Sequence, residues 1–176
     1  SMNTSWQNVG FVIPALNEEG AIGGVVAGLR SRGISHIVVC DNGSTDRTAE
    51  VAQSAGAAVV HEPERGYGAA CLRAIAALKP STEIIGFVDG DGSDDLDDLD
   101  ALLSPVLNDE ADFVIASRAL GRAERGALTP PQRFGNWIAS SWLKYRFGQN
   151  TSDLGPFRAI RKDAYQRLQM QDRNYG

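Results

Sequence analysis

Along the first two thirds of the chain, short apolar runs rich in β-branched residues alternate with longer segments whose apolar positions recur every three to four residues. Val9-Gly10-Phe11-Val12-Ile13, Ile37-Val38-Val39-Cys40, Ala57 to His61 and Ile84-Ile85-Gly86-Phe87-Val88 read as strands. Between and after them, Glu19 to Arg32, Thr45 to Ala55, Tyr67 to Leu78 and Asp95 to Leu107 read as helices. Strands without polar alternation are those buried on both faces. The pattern therefore predicts an α/β fold, with a mainly parallel central sheet and helices on both faces. After the run Phe113 to Ser117 the periodicity breaks, and the basic, Gly- and Pro-containing stretch Arg118 to Pro131 is expected as a long functional loop. An aromatic helix follows over Arg133 to Phe147, where Phe134, Trp137, Ile138, Ser141 and Tyr145 share a face, and a last helix over about Lys162 to Gln169.

Length changes this picture little: 176 residues suit one domain. Its expected extent is 9–176. Residues 1–8 are expected to be a tag remnant and disordered lead-in, because Ser1-Met2-Asn3-Thr4 lacks the features of a secretory leader and a Ser before Met looks like a tag scar. With no closing strand after the last helix, the domain is expected to be truncated at its carboxyl end. No apolar run approaches the roughly 18 residues that cross a bilayer, and a cytoplasmic protein is expected. Cys40 and Cys71 lack any zinc or redox spacing and are read as small buried hydrophobes. Charge is more informative. The net −5 divides into 6 basic and 15 acidic residues over 1–100, against 11 basic and 7 acidic over 101–176. An acidic half suited to a cation and a basic half suited to a polyphosphate can build one site. Nucleic acid, which normally selects a domain basic overall, is excluded.

In open parallel sheets ligands bind beyond the carboxyl ends of the strands. Three such loops carry carboxylates here: Pro14-Ala15-Leu16-Asn17-Glu18-Glu19, Asp41-Asn42-Gly43-Ser44-Thr45-Asp46 and Asp89-Gly90-Asp91-Gly92-Ser93-Asp94-Asp95. In the last, carboxylates at i and i+2 of a glycine-relaxed turn offer hard oxygen ligands to Mg²⁺ or Mn²⁺. The alternative is a solvated turn in which Asp94 caps the next helix. An EF-hand is excluded, because the twelfth position holds Asp100 where a bidentate Glu is needed. In the second loop, Asn42-Gly43 makes a turn and Ser44 or Thr45 is expected to cap a helix, leaving Asp41 to accept a proton from a base edge. Glu18 is either a solvated first-turn acid or a ribose or base contact. Arg65-Gly66-Tyr67-Gly68 puts two glycines at a helix start, where an anion is favoured. No dinucleotide or ATPase phosphate loop is present.

Val12-Ile13-Pro14-Ala15-Leu16-Asn17-Glu18-Glu19, Asp41 to Asp46, Arg65 to Ala69 and Asp89-Gly90-Asp91 together resemble family 2 glycosyltransferases of the GT-A fold, a Rossmann-like arrangement. Within them the chain is most similar to the dolichyl-phosphate mannose and glucose synthase branch. The resemblance implies an inverting transfer of a hexose from a nucleotide-diphosphate sugar, UDP-glucose or GDP-mannose, to a polyprenyl or dolichyl phosphate or a small hydroxyl acceptor. It implies that Pro14, Leu16, Glu18 and Asp41 hold the nucleoside, that Arg65, Gly68 and Gly90 line the donor, and that Asp89 and Asp91 bind the metal. Arg118, in a small-Ser-Arg segment, and Arg133 would face the donor phosphates, Arg122 and Arg125 completing a basic lid. Asp153 is the candidate base for a hydroxyl acceptor. It precedes Gly155-Pro156-Phe157-Arg158, which resembles the family's Gly-Phe-Arg motif but carries Pro156 where Gly is usual. Peripheral contact with the inner face of a membrane through the aromatic helix, and a homodimer, complete the expectations. A sugar nucleotidyltransferase and a non-catalytic nucleotide-sugar-binding module remain as alternatives.

Overall fold

The computed structural model describes residues 6–117, 122–125 and 157–175. Strand β1 (Val9–Ala15) sorts its side chains by parity: Val9, Phe11, Ile13 and Ala15 enter one apolar cluster, and Val12 enters the other. The same division runs through β2 (His36–Asp41), with Ile37 and Val39 on one face and Val38 and Cys40 on the opposite one. Strands β3 (Ala58–His61) and β4 (Ile84–Phe87) complete a parallel half in which β1 lies between β2 and β4. Helices α1 (Ile22–Ser31), α2 (Thr48–Ala55) and α4 (Leu99–Leu107) cover the first face, and α3 (Tyr67–Ala76) and α5 (Lys162–Tyr175) the second. This is the expected three-layer α/β architecture, and both cysteines are buried and free within it.

The second half of the sheet departs from the expected pattern. Strands β5 (Phe113–Ser117), β6 (Arg122–Arg125) and β7 (Arg158–Arg161) extend it in the order β3-β2-β1-β4-β7-β5-β6, with β7 antiparallel to both β4 and β5. Neither β6 nor β7 was legible as a strand. Residues 122–125 fall inside the stretch read as loop, and β7 has only Ala159 and Ile160 as an apolar run; both gain their hydrogen bonds from neighbours far along the chain. Because β7 runs against β4, its first residue, Arg158, pairs with the last residue of β4, Phe87.

Three boundaries also move. Helices α1 and α2 begin three residues later than their patterns suggest, and Asp95 to Leu107 divides into a single 3-10 turn (Leu96–Asp98) followed by α4. Trp6, inside the expected lead-in, is a core residue at 3% exposure. No helix among the described residues is long and apolar enough to cross a membrane.

Candidate functional site

The parallel strands deliver their carboxyl ends to one rim. Ala15, Asp41 and His61 are lateral neighbours at the tips of β1, β2 and β3. Asp41 is 7% exposed; its Oδ1 accepts the Ser44 N–H at 2.9 Å, and Oδ2 lies 3.6 Å from His61 Nδ1. Pro14 and Leu16, flanking the tip of β1, are half-buried.

The loops after β1 and β2 interlock. Asn17 N–H donates to Ser44 Oγ at 2.9 Å, while Thr45 N–H donates to Asn17 Oδ1 at 2.9 Å. Glu18 N–H donates to Thr48 Oγ1 at 2.8 Å, Glu19 N–H to Asp46 Oδ2 at 3.2 Å and Arg47 N–H to Glu19 Oε2 at 3.1 Å. Asn17 makes the exchange possible by adopting φ 54°, a left-handed conformation that Asn tolerates. Ser44 and Thr45 are thus committed to the facing loop instead of capping α2. That helix starts at Thr48 after Arg47, without a side-chain cap, which explains its late beginning.

Beyond β4, Asp89 is half-buried, Gly90 buried and Asp91 exposed. A side chain at position 90 would meet Ala15 Cβ, Ile22 Cδ1 and the Pro14 carbonyl at 3.4 Å each, so the turn is pressed against the end of β1. Asp94 accepts the Asp89 N–H at 2.9 Å, closing the turn on itself; the capping role expected of it falls to Asp95, which accepts the Asp97 N–H at 3.0 Å. Asp91 Oδ1 accepts the Ser93 N–H at 2.9 Å and its hydroxyl. Burial, then Asp91, then Asp46 raise the Glu18 carboxyl above its ordinary value, so the loops after β1 and β4 meet at a concentration of negative charge. Among the described residues no three His, Cys, Asp or Glu side chains gather to enclose a metal. The donor set of Asp89 and Asp91 fits a hard divalent cation that draws its other ligands from a bound substrate.

Helix α3 brings its positive end to the same rim, with Gly68 buried in its first turn and Arg65 exposed just before it. Beneath that turn lies Arg158, 6% exposed, on the face of the sheet shared by Phe87 and Ile160. Burial lowers its pKa to about 10, opposed by Tyr67 and Asp89. The Tyr67 hydroxyl is pushed well above its ordinary value by burial, then by Cys71 and Asp89. Tyr67, Arg158 and Asn42 were not among the predicted site residues. Only the antiparallel course of β7 brings Arg158 to the rim. Arg118, Arg133, Asp153, the lid and the aromatic helix lie outside the described residues.

The family model described as glycosyl transferase family 2 matches residues 11–169. The chain is 38% identical over 169 residues to an uncharacterised glycosyltransferase of Mycobacterium tuberculosis, spanning 96% of this chain and 74% of that protein. A dolichyl-phosphate hexose transferase of Haloferax volcanii is 31% identical over 163 residues, with 90% and 68% covered. Among solved structures, glucosyl-3-phosphoglycerate synthase from Mycobacterium tuberculosis in complex with Mn²⁺, UDP and phosphoglyceric acid is similar with a TM-score of 0.61 at 25% identity. That match covers 89% of this chain but 56% of the synthase, so the chain spans little more than half of that structure's length.

Proposed function

Because this chain belongs to glycosyl transferase family 2 and has the GT-A fold, we propose that it is an inverting glycosyltransferase that moves a hexose from a nucleotide-diphosphate sugar to an acceptor. One observation carries the reading: Asp41, Glu18, the start of α3 and the Asp89-Gly90-Asp91 turn converge on one rim, where burial and then Asp91 raise the pKa of Glu18. That sequence of groups suits a base, a ribose and a diphosphate in order.

In this reading Asp41 accepts a base N–H; its orientation is held by the Ser44 N–H. Pro14 and Leu16 pack against the nucleoside, and Glu18 faces the ribose. Arg65 and the Gly68 end of α3 lie along the donor, where the close backbone approach that glycine permits and the helix dipole favour anionic oxygens. Asp89 and Asp91 hold Mg²⁺ or Mn²⁺, with Gly90 setting the turn between them. Such an ion supplies Lewis-acid stabilisation of the charge that builds on a departing nucleoside diphosphate. Arg118 and Arg133 are proposed to share that task as fixed cations, and Asp153 to remove a proton if the acceptor is a hydroxyl.

The donors proposed are UDP-glucose or GDP-mannose. UDP and Mn²⁺ in the similar synthase complex support the former and a divalent ion. A polyprenyl or dolichyl phosphate is the proposed acceptor, supported by the dolichyl-phosphate transferase among the relatives; its oxygen is already ionised and needs no strong base. Calorimetric titration of each donor, with and without Mn²⁺, tests the reading on the unaltered chain and on Asp91→Ala. One donor is expected to bind only with Mn²⁺ and to lose at least about tenfold in affinity in the variant, the worth of one charge-assisted contact. Tight binding without metal, or unchanged binding by the variant, removes Asp91 from the proposed role. Product formation from the bound donor and dolichyl phosphate separates transfer from binding alone.

A further inference from the structure

Asn42 occupies a position to which the proposed donor contacts give no role. It is 4% exposed and follows Asp41 at the tip of β2. Its own N–H donates to the Ala15 carbonyl at 3.0 Å, carrying the β1–β2 ladder one residue past the strand. Its side chain reaches the other way. Nδ2 donates to the carbonyls of Glu62 and Glu64 at 2.9 and 2.8 Å, and Oδ1 accepts the N–H of Gly66, the residue before α3, at 2.9 Å. One residue therefore closes the 62–66 connection around its side chain and, with its backbone N–H, links the end of β1 to the start of α3.

We propose that Asn42 is the positioning residue that sets the phosphate-facing start of α3 relative to the base-facing Asp41, so that the two ends of a nucleoside diphosphate are gripped at a fixed separation. The inference rests on the donor site described above and adds a residue that touches neither end of the ligand.

The chemistry of the side chain is specific. The connection presents two carbonyls and one N–H to a single buried point, and a primary amide supplies two donors and an acceptor within one short reach. Aspartate keeps the acceptor for Gly66 but has no donor for Glu62 or Glu64, and it adds a charge beside Asp41. Alanine removes the shared partner of all three backbone groups, of which the Gly66 N–H is buried. The start of this connection is also tied to β2, through the Glu62 N–H to the Asp41 carbonyl at 3.1 Å. That bond holds the beginning of the connection, and Asn42 holds its end at Gly66.

The expected result is a split between ligands. In Asn42→Ala, UDP with Mn²⁺, measured by calorimetry, is expected to bind about tenfold more weakly, the loss of one to two net hydrogen bonds of ordering. Uridine, measured by saturation-transfer NMR, is expected to change less than about twofold, because Asp41 keeps its own support. Asn42→Asp is expected to fall with Ala, not with the unaltered chain. Amide hydrogen exchange without ligand supplies the second arm: Gly66 to Ala70 are expected to exchange faster in both variants while Phe11 to Ile13 and Val38 to Cys40 stay protected. Equal weakening of UDP and uridine, unchanged UDP binding, or unaltered protection of Gly66 to Ala70 overturns the proposal. If the unaltered chain binds GDP instead, GDP and guanosine replace the pair. If it binds neither nucleotide, the donor-site reading fails, and the exchange arm still decides whether Asn42 holds the start of α3.

Discussion

Cys40 and Cys71 sit on the same face of the sheet, and burial is the first cause of the elevated pKa of each, Cys40 being pushed up to about 12. Thiolates are the reactive form, so both are expected to resist an aromatic disulfide reagent at pH 8 in the native protein and to react together on unfolding in guanidinium. Rapid reaction of either in the folded state contradicts their placement. His36 makes a different prediction. Its Nε2 accepts the Lys79 N–H at 3.0 Å, and burial, then Lys79, hold its pKa below the ordinary imidazole value. The unfolded chain protonates this ring near pH 6.5 while the folded chain resists. Its contribution is thus present above that pH and lost as pH falls through the folded value. The melting temperature is expected to drop between pH 6.5 and 5, and His36→Gln, which keeps an acceptor, to flatten that part of the profile. An identical slope in the variant would assign the loss to other groups.

At the level of elements, two glycines separate backbone cost from packing. In α1, Gly24 has open space where a Cβ would stand and an ordinary helical backbone. Gly24→Ala is therefore expected to stabilise by about 0.8–1 kcal/mol, the difference in helix propensity. In β4, a Cβ on Gly86 would lie 2.3 Å from the ring of its lateral neighbour Phe11, which itself stacks against Phe157 with centroids 5.9 Å apart. Gly86→Ala is expected to destabilise by about 1–3 kcal/mol through overpacking. Denaturant unfolding of both variants reads the opposite signs. The helix starts show the limit of periodicity: Thr45 to Arg47 fit a helical pattern, yet Thr45 and Asp46 spend their polar groups on the loop after β1, and α2 waits until Thr48. Nothing local marks that choice, because the partner lies 28 residues away for Thr45 and 27 for Asp46.

Across the whole molecule, the acidic rim has its proposed cation ligands concentrated on one turn, with no described cluster that could enclose the ion alone. Mn²⁺ is therefore expected to bind the free chain at least about tenfold more weakly than it binds the chain saturated with UDP, since oxygen ligands from the nucleotide complete its shell. By linkage UDP gains the same factor from Mn²⁺. Equal Mn²⁺ affinity in both states would place further protein ligands around the ion. With the proposed site distributed over three loops, donor recognition would depend on the relative placement of whole elements, which Asn42 is proposed to govern.

The parallel half of the sheet and its rim were legible in the sequence for a physical reason. Doubly buried strands need continuous apolar runs, and parallel connections through helices return every strand in the same direction, so Asp41 and Asp89 had to share an edge. The interlocked loops, the reversal of β7 and the arrival of Arg158 beneath α3 were decided by tertiary structure alone. Each depends on polar or short apolar segments finding partners distant in the chain, and such pairings leave no period in the sequence.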